Sequence, residues 1–336
     1  MEGQSVRLPQ LSIEMDILIC EECEGLAVEK LVGKYRVVRD GELWKKAASL
    51  SGQIASARTV MIRNQTQITA ELLRGATNLI AIGRVGVGLD NVDLKAATER
   101  GVVVIAPLNA NATSVAELTM GLMLSLSRKI PSADRSTKAR GWDRKGHTGI
   151  ELEGKTLAIC GFGRIGRLVG ARAKAFGMKL LAFDPFVKEE SPDLADVGAR
   201  LCSKLEDALA TADFVTAHSP LTSETRHMFA EQAFGMMKRG ALFINTSRGG
   251  VVDEAALMKA LSEGHLAGAA LDVRESEPPS KSRFETMENV ILTPHMGAWT
   301  AEAQSRTLEA VCEDLDRVLS GEAAVHFVNM ARPGSR

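Results

Sequence analysis

A chain of 336 residues, 45% apolar and 25% charged, has ordinary globular composition and length for about two domains. Its 41 basic and 42 acidic residues leave a formal charge of -1, so no one-sign field exists to hold nucleic acid or an anionic membrane. No window approaches the roughly 18 consecutive apolar residues of a membrane span, and no basic-then-apolar signal opens the chain, so a cytoplasmic protein is expected.

The N-terminal MEGQSVRLPQLSIE reads as a short frayed extension before a first strand, MDILIC (15–20). That strand runs into a Cys-x-x-Cys, Cys20 and Cys23. A redox pair needs cations or a helix N-terminus to lower a thiol pKa, and here Glu21, Glu22 and Glu24 push the other way. A zinc site needs two more ligands, and no second pair or nearby His follows. With Cys160, Cys202 and Cys312 the set is odd and scattered, which predicts reduced thiols, no disulfide framework and no metal.

The runs YRVVRD, TVMIRN, LIAIGR and GVVVIA continue the strand series, with helical stretches such as 66–75 and 93–100 between them. Such β-α alternation predicts a parallel sheet with helices on both faces. A long helix follows at about 112–130, ATSVAELTMGLMLSLSRKI. Thr113 or Ser114 is its candidate cap, Glu117 the capping-box partner, and Pro131 marks its end. A second series runs through KTLAICGFG (155–163), KLLAFDP, ARLC, ADFVTAHSP, ALFINTSRGG, LAGAALDV and VILTPH. A helix at about 300–320 and then AVHFVNMARPGSR close the chain. Both long helices are natural crossings between two lobes, so the C-terminus is expected to return to the first.

In CGFGRIGRLVG, Gly161-x-Gly163-x-x-Gly166 follows an apolar strand and opens a helix. The first Gly permits the tight turn, the second lets a pyrophosphate reach the backbone, and the third lets helix pack on strand. The N–H groups of the helix N-terminus then hold the diphosphate. The next strand ends in Asp184, about 20 residues on, whose carboxylate suits ribose hydroxyls and repels a 2′-phosphate. NAD is therefore the expected cofactor rather than NADP, although Lys188 lies just beyond and softens the argument.

Three later strand ends carry polar residues: Arg248; then LDVRESEPP with Asp272 and Glu277; then LTPHMGAWT with His295. Ligands of doubly wound sheets bind beyond the carboxyl ends of strands. A hydride leaves an alcohol carbon only if the O–H proton leaves too, and His295 is a base of suitable pKa. Glu277 beside it would hold its tautomer. The fork of Arg248 suits the carboxylate of a 2-hydroxy acid and polarises the developing carbonyl. Taken singly, such a His is more often a structural hydrogen bonder and such an Arg a solvated charge. Their ordered appearance behind a dinucleotide loop reverses that.

The sequence resembles the D-isomer-specific 2-hydroxyacid dehydrogenase family, and within it the short 3-phosphoglycerate dehydrogenase type without a C-terminal regulatory domain. The resemblance runs from about residue 15 to 329. It is carried by GRVGVGLDNVDLKAATERG, NANATSVAELTMGLML, GKTLAICGFGRIGRLVGARAKAFGM, HSPLTSETRHM, INTSRGGVVDEAAL and TPHMGAWTAEA. It implies an α/β fold of two doubly wound parallel-sheet lobes: a flavodoxin-like substrate domain (1–108 with 300–336) and a Rossmann NAD-binding domain (109–299). It implies catalytic roles for Arg248, Glu277 and His295. Cofactor contacts are implied for Arg164 and Ile165 at the diphosphate, Asp184 and Pro185 at the adenosine, Thr222 along the cofactor, Thr246 and Ser247 beside it, Asp272 at the carboxamide, and Gly297 and Ala298 after the histidine. Substrate contacts are implied for Arg63, Asn64, Arg84, Val85, Gly86 and Val87. A homodimer is implied, its long helix and following arm crossing between subunits, with no serine feedback through a regulatory domain.

The chain departs from the common RAGTG pattern at Val85 and Val87, which make the expected pocket less polar. Pro107-Leu108 shifts the usual proline by one, and Trp299 stands where smaller residues are common, either narrowing the pocket or packing at the lobe junction. Arg63, Arg84 and the arm GWDRKGH (141–147) are candidate cations for an anionic tail, which points to a three-carbon acid such as 3-phosphoglycerate or sulfolactate, then glycerate or glyoxylate/hydroxypyruvate. A reading of another class, an NAD-sensing corepressor-like binding protein, does not require Arg248, Glu277 and His295 together. Their joint presence favours an enzyme.

Overall fold

Most of the strand-forming runs become short parallel strands that are largely buried, as a sheet covered by helices on both faces requires. The structure, a computed structural model, describes residues 15–330, so the N-terminal extension lies outside the described residues. These residues form two compact units, one running to Asn111 and resuming at Thr300, the other Ala112–Trp299.

The first unit contains β1 (Met15–Ile19), β2 (Val37–Arg39), β3 (Ala57–Ile62), β4 (Ala81–Arg84) and β5 (Val103–Ile105). All pairs are parallel in the order β2-β1-β3-β4-β5, the flavodoxin-like arrangement. The helix Ala301–Leu319 belongs here. The Thr300 hydroxyl caps it by accepting from Ala303 N–H at 3.2 Å. Its apolar face, Val311, Cys312 and Leu315, packs with Ile17, Ile19, Met61 and Ala81. Beyond it, Phe327 bridges to Ile105.

The second unit contains β6 (Thr156–Cys160), β7 (Lys179–Phe183), β8 (Ala199–Leu201), β9 (Phe214–Ala217), β10 (Leu242–Asn245), β11 (Gly268–Leu271) and β12 (Val290–Leu292). Their order is β12-β11-β10-β9-β6-β7-β8, again all parallel. Chain direction across the sheet reverses between β6 and β9, the switch point where doubly wound folds bind dinucleotides. Phe229, Phe234 and Phe243 fill one face, with rings edge to face at 5.0 and 5.4 Å. Each such pair contributes about 0.5–1.5 kcal/mol beyond its buried area.

The long helix differs from its sequence reading. It runs Ala112–Ser127 and stops there; Lys129 takes a left-handed conformation and a second helix, Ile130–Lys138, follows. Pro131 therefore opens a helix instead of ending one, because a residue without an N–H costs nothing in a first turn. Thr113 and Ser114 lie inside the first turn rather than capping it, and Glu117 takes Arg172 at 3.0 Å. All five cysteines are buried and free, and burial pushes Cys23 up to about 11 and Cys160 and Cys312 up to about 12. Such thiols are inert. Among the described residues no His, Cys, Asp and Glu cluster has the makings of a metal site.

Candidate active site

Because β10, β11 and β12 are parallel neighbours, the loops after their carboxyl ends are adjacent. Each delivers one of the three expected side chains.

After β10, buried Asn245 shapes the turn. Its amide oxygen accepts from the Ser247 N–H at 3.0 Å and hydroxyl at 2.8 Å, and its amide nitrogen donates to the Arg248 carbonyl at 2.9 Å. The Arg248 guanidinium donates to the Ser247 carbonyl at 2.8 Å. Gly249 then passes so close to the next loop that a Cβ there would lie 1.8 Å from the Arg274 carbonyl oxygen.

After β11 comes Glu277. Its Oε1 accepts from the Arg274 N–H at 3.1 Å and its Oε2 meets His295 Nδ1 at 2.6 Å. Burial alone would raise the Glu277 carboxyl, but the bonds from His295 and the Arg274 N–H, with the charges of His295 and Arg248, hold it below the usual range. The Arg248 charge thus acts in the same direction as His295 on the Glu277 carboxylate.

After β12, His295 sits in the left-handed region at φ 52, its N–H donating to the Asp272 carbonyl at 2.7 Å. That is a strained conformation for a β-carbon-bearing residue. The carboxylate of Asp272, almost fully buried, over-determines it by accepting from Thr293 Oγ1 at 2.6 Å, Met296 N–H at 2.8 Å and Gly297 N–H at 2.9 Å. With Nδ1 committed to Glu277, Nε2 is the ring nitrogen left to exchange a proton with a substrate. A second pair, His227 Nε2 with Glu275 Oε1 at 2.7 Å, joins the loop after β9 to the loop after β11 and was not anticipated.

The glycine loop fits a dinucleotide. Gly161 has φ 98, and a Cβ there would lie 2.7 Å from the backbone of His218, at the β6/β9 switch point; a Cβ on Gly166 would lie 2.2 Å from the Gly161 carbonyl oxygen. Gly163 faces open space and caps the 12-residue helix Arg164–Ala175 without a side-chain bond, leaving the helix N-terminus clear for a diphosphate. Exposed Arg164 and half-buried Ile165 follow. Asp184 accepts from Phe162 N–H at 2.8 Å and Phe186 N–H at 2.9 Å, which fixes its carboxylate at the loop with lone pairs to spare for ribose hydroxyls. Pro185 beside it is exposed. At the switch point, burial pushes the His218 imidazole down to about 3, so it is neutral.

Of the other expected cofactor residues, Thr246 is buried against Thr119, their hydroxyls 2.8 Å apart, and Thr222 turns on Thr225 in an exposed loop. Asp272 and Gly297 bond each other, and Ala298 is half-buried after them. In the first unit, the buried carboxylate of Glu21 accepts from the N–H groups of Arg63, Gln65 and Thr66 at 2.8, 3.1 and 2.9 Å, building the loop that carries Arg63 and Asn64. The sequence reading gave Glu21 no such role. Arg63 donates to Gln304 at 2.5 Å and lines a cavity of about 360 Å³ together with Glu24 and Glu309. The Arg84 guanidinium lies over Gly86, where a Cβ would strike it, and donates to the Val85 carbonyl at 3.1 Å. One expectation is corrected: the Val85 side chain is buried in the core with Ile19 and Ile105, so only its backbone is left to meet a ligand, whereas Val87 is half-buried. Trp299 is exposed, as is Trp142 on the 141–147 arm, where Arg144 stacks at 5.8 Å and Gly146 and His147 bond to Asp143.

The model of one family, described as "D-isomer specific 2-hydroxyacid dehydrogenase, NAD binding domain", matches residues 120–297. The chain belongs to the D-isomer-specific 2-hydroxyacid dehydrogenases. Residues 120–297 are thus this family's NAD-binding domain, and NAD is the cofactor the glycine loop and Asp184 fit. This family member is 46% identical over 278 residues to a D-3-phosphoglycerate dehydrogenase of Methanocaldococcus jannaschii, a match covering 83% of this chain and 53% of the relative. The chain spans about half the length of the curated relatives it matches. Among solved structures, the TT0316 protein of Thermus thermophilus aligns with TM-score 0.86 and 33% identity, over 94% of this chain and 100% of that one. A D-lactate dehydrogenase of Aquifex aeolicus, complexed with NAD and lactic acid, aligns with TM-score 0.83 and 27% identity, over 94% and 99%.

Proposed function

We propose that this protein oxidises a D-type 2-hydroxy acid with NAD, or reduces the corresponding 2-keto acid, at Arg248, Glu277 and His295. The observation that carries the reading is the His295 Nδ1–Glu277 pair at 2.6 Å within reach of the Arg248 charge. Bound NAD supplies the hydride acceptor or donor. The chain supplies the rest. In oxidation, Nε2 of His295 takes the hydroxyl proton while Glu277 stabilises the resulting imidazolium and holds the tautomer. In reduction the same proton returns to the carbonyl oxygen. Arg248 binds the substrate carboxylate and draws electron density from the carbonyl.

The domains implied by this reading are 1–108 with 300–336 for substrate and 109–299 for NAD. The leading substrate is D-3-phosphoglycerate, the name the curated relatives carry, with sulfolactate next and glyoxylate or hydroxypyruvate after them. Arg63 and Arg84 are the candidate cations for an anionic tail, Arg63 sharing its cavity with the carboxylates of Glu24 and Glu309. Exposed Trp142 and the arm around it support pairing of two copies, and five free cysteines support a reducing, cytoplasmic setting.

The test is a panel of hydroxy and keto acids followed by nicotinamide absorbance, with NAD(H) and NADP(H) in parallel. Turnover is expected with a three-carbon acid and NAD. His295→Ala should cut kcat by roughly 10²-fold or more. Full activity in that variant would remove His295 from the mechanism.

A further inference from the structure

The loop after β11 holds a buried ion pair that neither the dehydrogenase reading nor the glycine loop uses. The Arg274 side chain is only 7% exposed. Its Nε and Nη2 grip the two carboxylate oxygens of Glu254, each at 2.9 Å, while Nη2 also reaches Ser282 Oγ at 3.3 Å and Nη1 lies 3.7 Å from Glu285. The guanidinium lies over the Phe284 ring at 5.1 Å. Glu254 opens the helix Glu254–Ser262. Its Oε1 takes one further donor, the Glu275 N–H, at 2.8 Å.

Those contacts converge on the backbone of Arg274 and the two peptides that flank it. Glu254 holds the Arg274 side chain and the N–H that follows it in the chain. The Arg274 carbonyl packs against Gly249, with no room for a Cβ. The Arg274 N–H, on the preceding peptide, donates to Glu277 Oε1. The remaining oxygen of Glu277 faces His295 Nδ1.

A buried ion pair is weak evidence for stability, since apolar side chains of similar volume often serve as well. A flat apolar side chain over Phe284 would fill this space. What it would lack is the two-point grip that holds the Arg274 residue in place, and with it the N–H bonded to Glu277. We infer that Arg274, held by Glu254, is a positioning residue that aims the Glu277 carboxylate at His295. The inference rests on the reading of His295 and Glu277 as the acid-base pair.

The test is a double-mutant cycle on the NAD-loaded enzyme. Arg274→Met should lower kcat roughly 10-fold, as a sub-ångström misplacement does, and leave the NADH Kd and substrate KM within about two-fold of wild type. In a Glu277→Ala background the same change should alter kcat by less than about two-fold, because nothing remains to be aimed. Arg274→Lys, which keeps charge and folding but loses the two-point grip, should fall between. An equal cost of Arg274→Met in both backgrounds overturns the inference while leaving the dehydrogenase reading intact.

A second readout needs no turnover. The proton shared by His295 Nδ1 and Glu277 should give a low-field NMR resonance that is absent in Glu277→Ala. It should broaden or move upfield in Arg274→Met and in Glu254→Gln. An unmoved resonance in both overturns the inference, even if no hydroxy acid is turned over and the dehydrogenase reading itself has failed.

Discussion

Replacing Glu277 by Gln changes one charge and almost no volume. The carboxylate accepts from the Arg274 N–H at 3.1 Å and pairs with His295 Nδ1 at 2.6 Å, one oxygen for each. An amide has a single oxygen, so one of these donors must face an NH2 group. The bond to an imidazolium is charge-assisted and contributes about 1.5–3 kcal/mol. That energy is available only when His295 carries the proton, which in the oxidation direction happens as the reaction proceeds. At about 1.36 kcal/mol per tenfold, Glu277→Gln should lower kcat by about 10- to 150-fold, with the NADH Kd unchanged. The assay is kcat and kcat/KM in both directions across pH. The folded carboxyl is held below its ordinary value of 4.5, so its contribution to stability is fully present above that value and lost as pH falls through the lower folded one. The carboxylate's share of the stability gap between wild type and Glu277→Gln should therefore be lost in acid. A kcat in the oxidation direction within two-fold of wild type, or a gap that acid leaves unchanged, would overturn this account of the pair.

Arg248→Lys keeps the charge but not the fork, and should raise substrate KM by roughly 10-fold or more while the NADH Kd stays put; an unchanged KM would take Arg248 off the substrate carboxylate. Asp184→Ala removes the repulsion toward a 2′-phosphate and the acceptor of two backbone N–H groups, so the ratio of NAD to NADP turnover should fall, mostly through weaker NAD binding. A ratio that holds would show that the preference lies elsewhere. Gly249→Ala places a Cβ 1.8 Å from a backbone oxygen, so the Arg248 and Glu277 loops must part. A loss of about 1–3 kcal/mol of stability, read in a denaturant titration, should accompany the fall in kcat.

Sequence alone was enough to find which strand end carries which polar residue. Period, glycine spacing and the order of apolar runs fix a strand, its direction and the loop after it, and in a parallel sheet all such loops open on one edge. That placed Arg248, Glu277 and His295, the glycine loop and Asp184. Helix boundaries were less legible. The apolar pattern runs on past Ser127, and only the backbone reveals the left-handed Lys129 and a proline that starts a helix.

Partnership between loops was legible only in part. Glu275 and Glu277 are both acidic and two residues apart, yet one pairs with His227 and the other with His295. The needs of the chemistry alone set Glu277 beside His295, but the partner of Glu275 depends on ångström distances between loops of one sheet, and no one-dimensional pattern encodes those. The same holds for Asp272 under the histidine loop, Asn245 under the arginine turn, and Arg274 with Glu254. Local chemistry assigned each residue to an element, and the packing of strands β10, β11 and β12 side by side decided which of them touch.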